Sequence, residues 1–124
     1  MTDTQQIPIT SPITATGATG PLLADSDLDT LTITVTASAV TGTTPSATFS
    51  AEWCNAGADY PPGSGQWDDS GAVAASALTA AGTKTITLPP NINASGEAAA
   101  WWRLKWTVTG TTPSFTISVA TAAG

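Results

Sequence analysis

Three carboxylates stand at alternate positions in "DSDLDT", residues 25 to 30: Asp25, Asp27 and Asp29. Acids at this spacing open calcium-binding loops, where oxygen ligands recur along a tight turn. The rest of such a loop is missing, because Thr30 stands where glycine must make the turn and Thr36 where a bidentate glutamate must close it. A charged, turn-forming lead into a strand is the simpler reading. Glu52 and Glu97 are the glutamates that could face each other across a cleft, as glycoside hydrolysis requires. Glu52 is out of phase with Phe49 and Trp53, so alternation points it away from the core.

Nucleophilic chemistry is poorly served. The chain has no histidine and a single cysteine, Cys54. A Ser-His-Asp or Cys-His device is therefore unavailable, and so are an internal disulfide and the metal sites built from paired cysteines. Cys54 follows Trp53 at a strand end and reads as a small packing residue. Asp59, Asp68 and Asp69 read as solubilising charge, and "NAS", residues 93 to 95, matches a glycosylation acceptor without a secretion signal to give it meaning. These residues point away from an enzyme and imply neither cofactor nor metal.

The remaining concentration of chemistry is "WWRLKWTVTGTTPS", residues 101 to 114, which holds three of the five tryptophans and two of the three basic residues. On a strand, Trp102, Leu104, Trp106 and Val108 point one way, while Trp101, Arg103, Lys105 and Thr107 point the other. The first set is core. The second is a face that could meet a partner: Trp101 could stack under a cation or anchor an interface, and Arg103 and Lys105 form a small basic strip. That strip suits either an acidic patch on another molecule or an Asp or Glu across the sheet.

The elements that must position these residues are strands. Leu31, Ile33 and Val35 alternate with threonines, and Ala47, Phe49, Ala51 and Trp53 alternate with Thr48, Ser50 and Glu52. Val40 is out of phase with the first set, which predicts a bulge. "TGTTPS" occurs twice, at residues 41 to 46 and 109 to 114, each time after a valine and before an alternating run. Its glycine and proline predict a turn, and hence two equivalent hairpins. Residues 73 to 78 predict a short strand, and "TKTITL" another with Ile86 and Leu88 on one face. Residues 55 to 71 predict a long loop carrying Tyr60 and Trp67, interrupted near Trp67 by at most a short strand, and residues 91 to 100 predict a loop or one helical turn.

Residues 1 to 24 are punctuated by Pro8, Pro12 and Pro21, which forbid a helix or a central strand. Ile7, Ile9 and Ile13 mark this stretch as an extended arm that adds to a sheet edge or lies in a groove, on this chain or a neighbouring subunit. A frayed terminus is the plainer alternative. The predicted organisation is an arm, 1–24, and one domain, 25–124. The fold class is all-β, a two-layer antiparallel β-sandwich of immunoglobulin-like or jelly-roll-like type.

Composition limits the partners. The chain has 124 residues, only 10% of them charged, and a net charge of −6, which repels phosphate backbones and anionic lipid. Nucleic acid and membrane are not expected partners. The first residues lack the pattern of a signal peptide, so assembly in a cytoplasm is expected.

Taken together, "EWCNAG", "QWDDSG", "TAAGTKTITLP" and "WWRLKWTVTGTTPSFTISV" resemble small β-sandwich virion proteins of tailed bacteriophages. That group shows a Trp-bearing strand leading into an Asn/Asp-Gly type turn, an aromatic-x-Arg-hydrophobic-x-Trp strand, and a Thr-Gly-Thr-x-Pro-Ser-Phe hairpin near the C-terminus. The resemblance spans roughly residues 31 to 120 and is most specific in the closing strands. It departs at Cys54, Asn55, Ala56 and Gly57, where a shorter Ser-x-Asp-Gly turn is expected, and in an extended "YPPGSG" loop. The resemblance implies a capsid decoration (cement) protein on the outer head surface, or a minor head or tail component, assembled in a bacterial host's cytoplasm. Implied partners are the major capsid protein and other copies of the chain, as a homotrimer, with Ile7, Ile9, Ile13, Trp101, Arg103, Lys105, Tyr60 and Trp67 as contact candidates. A competing reading is a carbohydrate-binding module in which Trp101, Trp67 and Tyr60 form a stacking platform.

Overall fold

The computed structural model describes residues 4–7, 9, 11–19, 22–24, 30–53, 73–88 and 100–123. Two very long strands dominate, β4 (Leu31–Trp53) and β7 (Ala100–Ala123), paired antiparallel from Leu31↔Ala123 to Trp53↔Trp102. The outer edge of β7 carries β1 (Thr4–Ile7), β2 (Gly17–Ala18) and β3 (Leu22–Ala24). That of β4 carries β5 (Val73–Ala74) and β6 (Gly82–Leu88). All pairings are antiparallel, in one seven-stranded sheet.

Period-two alternation sorts the side chains as the sequence predicts. Leu31, Ile33, Val35 and Ala37 from one end of β4, and Ala47, Phe49, Ala51 and Trp53 from the other, are buried in one cluster. β7 contributes Trp102, Leu104, Phe115, Ile117 and Val119, and β6 contributes Ile86 and Leu88. A sheet that places both ends of a 23-residue strand in one core must curl around it. Intervening threonines and serines remain on the other face, where they are half-buried or exposed.

The two "TGTTPS" segments correct the hairpin expectation. Neither turns the chain: each lies inside a continuous strand, and the two face each other across the β4–β7 ladder. Thr41 pairs with Ser114, Thr43 with Thr111, and Ser46 with Thr109, with register shifts on both sides of Thr43. Gly42 and Gly110 adopt φ of 114° and 119°, and Thr44 and Thr112 both adopt φ of 47°. Glycine is required by contact as well as by φ. A Cβ on Gly42 would lie 2.7 Å from Thr112 O and 2.9 Å from Pro113 Cα; one on Gly110 would lie 2.8 Å from Thr44 O and 3.0 Å from Pro45 Cα. The glycine and proline therefore make a pair of interlocked bulges that bend both strands at one place. A further register shift between Ala37 and Ala39 accounts for the changed phase at Val40.

The arm does add to a sheet edge, and the edge is this chain's own β7. Its prolines and bends prevent a continuous ladder, and side-chain hydroxyls fill the gaps. Ser11 Oγ accepts from the Ile117 amide at 3.0 Å, Thr16 Oγ1 from Val108 at 3.0 Å, and Thr19 Oγ1 from Leu104 at 3.1 Å. Ile13 exchanges both backbone hydrogen bonds with Phe115, at 2.9 and 3.0 Å. The strand predicted over residues 73 to 78 narrows to Val73–Ala74, followed by a bridge from Leu78 to Ala47. The long loop with Tyr60 and Trp67, the acids Asp25, Asp27 and Asp29, and Glu97 lie outside the described residues.

Candidate functional site

The charged chemistry of the described chain collects where the C-terminal part of β4 lies beside the N-terminal part of β7. Glu52 pairs with Arg103 and Ser50 with Lys105 in the ladder, which puts all three charged residues on the face away from the core. Arg103 Nε donates to Glu52 Oε1 at 2.5 Å, and Lys105 Nζ lies 3.8 Å from the same oxygen. The Arg103 and Lys105 side chains keep 23% and 39% of their surface exposed, while Glu52 keeps none. Alternation had placed Glu52 on the outer face, as found, but its complete burial was not readable from parity. A carboxylate removed from water requires a charged partner at close range, and the guanidinium across the ladder supplies one.

The basic strip is consequently neutralised in part: two cations flank one buried anion. Its capacity is for contact and registration of strands. The register Glu52↔Arg103 can be legible only once β4 and β7 are known to pair, which a search for local motifs along the chain does not reveal.

On the inner face, Trp53 and Trp102 are ladder partners and both are buried. Trp106 differs from the core role expected for it. It is half-exposed, packs against the core beside Phe49 with ring centroids 6.5 Å apart, and donates its indole N–H to Ala15 O at 3.0 Å. Gly17 lies under the same ring, where a Cβ would approach Nε1 to 3.1 Å. The residue thus fastens the arm to β7 at the margin of the core. The small residue at 17 and the tryptophan at 106 form a pair that only the register reveals.

Of the other contact candidates, Ile13 is 5% exposed and belongs to the core, whereas Ile7 and Ile9 are half-buried against it. Trp101 pairs with Leu23 in the ladder. The side chain of Trp101, together with Tyr60 and Trp67, lies outside the described set. Arg103 and Lys105 are brought together with Glu52, and Ile7 and Ile13 with β7, while Ile9 packs against the core. Among the described residues no group of three or more His, Cys, Asp or Glu could hold a metal ion, and no helix is long and apolar enough to cross a membrane.

In comparisons with known proteins, no family model, curated protein or solved structure matches the chain.

Proposed function

We propose that this chain is a non-enzymatic structural protein of a bacteriophage virion, a capsid decoration (cement) protein that binds the outer head surface and stabilises the shell. The reading is carried by residues 101 to 119, whose aromatic-x-Arg-hydrophobic-x-Trp pattern and Thr-Gly-Thr-x-Pro-Ser-Phe run resemble small virion proteins of that kind. The position of the second run inside a strand, where a hairpin was expected, is a departure from that pattern. The finer fold belongs to the same proposal: the curled sheet closes as a two-layer sandwich, with the bulges at the bend between layers.

The physical demands of the role suit what the chain offers. A cement protein needs a stiff body and a surface that tolerates dense packing beside its own copies and the shell. Strands of 23 and 24 residues, locked together by bulges, supply stiffness. A Thr- and Ser-rich outer face on the described strands supplies the surface. The partners in this proposal are the major capsid protein and two further copies of the chain in a trimer.

Particles lacking the protein test the proposal. The purified chain should rebind them and raise the temperature at which their shells open. Absence of rebinding, together with specific retention on a glycan array, would replace the proposal with the carbohydrate-binding reading. Because the arm is part of this chain's own sheet, contact surfaces are better tested by changes at exposed Gln6, Thr14 and Ala18 than by removing the arm.

A further inference from the structure

The repeated hexapeptide belongs to a longer match. Val40 to Ala51 and Val108 to Val119 are identical at nine of twelve positions, each residue lying 68 positions after its counterpart, as Thr109 does after Thr41. A second pair of segments precedes them in the same order: "SPITATG", residues 11 to 17, and "SALTAAG", residues 76 to 82, share Ser, Thr, Ala and Gly and place Ile13 against Leu78.

The contacts of the two copies correspond as well. Ile13 bridges Phe115, and Leu78 bridges Ala47, each meeting the residue that follows the other copy's hexapeptide. Ile7 pairs with Val119, and Val73, one residue beyond the counterpart of Ile7, pairs with Ala51, the counterpart of Val119. Within the ladder, Thr41↔Ser114 mirrors Ser46↔Thr109, Val40↔Phe115 mirrors Ala47↔Val108, and Thr43↔Thr111 lies on the axis between them. The close approaches of Gly42 to Thr112 and of Gly110 to Thr44 are the same contact made twice.

We infer that the chain is a tandem duplication of one unit, residues 4–53 and 73–123, and that the β4–β7 seam is a self-association surface whose fitting partner is a second copy of that unit. Two turn sequences could converge on six residues, but convergence gives no reason for a second motif, in the same order, to make the counterpart contact. Residues 54 to 72 are then the link between units and correspond to the chain termini. The units depart from symmetry in the register shift between Ala37 and Ala39, which β7 lacks at the corresponding place, and in the seven-residue β6, which stands opposite the shorter β2 and β3. Glu52 and Trp53 correspond to Ala120 and Thr121, so the buried ion pair occurs at one end of the molecule.

Two full-length variants test this inference, independently of any virion role. In the first, the segments at 11–17 and 76–82 are interchanged, which places a proline at position 77. Equivalent units accommodate it, and the thermal midpoint should stay within about 5 °C of the parent, the shift that about 1 kcal/mol produces in a domain of this size. A chain that unfolds, or melts more than about 10 °C lower, overturns the equivalence, because a misplaced proline disrupts strand pairing. In the second, the termini are joined by a short Gly/Ser linker and the chain is opened between Gly63 and Ser64, reversing the order of the units. The permutant should be folded, with the parent's mass in solution. Failure to fold overturns the assignment of residues 54 to 72 as a link between complete units.

Discussion

The Glu52, Arg103 and Lys105 cluster illustrates how a single buried charge can fix a register. Sliding β4 by one residue would turn Glu52 toward the apolar core, where an ionised carboxylate is far costlier than beside a guanidinium. Arg103→Met should therefore destabilise the protein by about 3 kcal/mol, as expected when one partner of a buried ion pair is removed. The double variant Glu52→Leu with Arg103→Met should recover much of that loss. Urea denaturation of the single and double variants measures both, and additive losses would show that the pair is not coupled. The tryptophans separate in the same way. Trp102→Ala should cost about 3–5 kcal/mol, the usual consequence of truncating a buried aromatic. Trp106→Ala should cost less than half as much and should expose the arm near Ala15 to protease, since that ring works at the edge of the core.

Among the elements, the interlocked bulges matter most. Each glycine has a φ that side chains rarely adopt and a neighbouring backbone within 3.0 Å of any added Cβ. Gly42→Ala and Gly110→Ala should each cost on the order of 3 kcal/mol from backbone strain and overpacking. The two losses should agree closely, because the contacts correspond across the axis; thermal or chemical melts of the two variants provide the comparison. The arm belongs at this scale too. Deleting residues 1 to 24 removes Ile13 from the core and uncovers the outer edge of β7, so the truncated chain should lose its cooperative melt and aggregate. Circular dichroism and light scattering of the truncated chain would reveal this. The three isoleucines were legible as extended, edge-seeking chain. Which edge they take was not, since the pairing of Ile7 with Val119 joins residues at opposite ends of the sequence.

In the whole molecule, the sequence alone determined the class of structure and most of the core. Alternation at Leu31, Ile33 and Val35, at Phe49 and Trp53, and at Phe115, Ile117 and Val119 depends only on the two-residue period of a strand, so burial could be assigned before any partner was known. The same period placed Glu52, Arg103 and Lys105 on the outer face. Only the tertiary structure decided what "TGTTPS" does. Glycine at positive φ followed by proline is shared by turns and bulges, and the choice between them depends on a strand 68 residues away that supplies the other half of the contact. The burial of Glu52 and the role of Trp106 beside Gly17 were hidden for the same reason. Local sequence determines which way a side chain points along its own strand, whereas register against a distant strand determines what it meets.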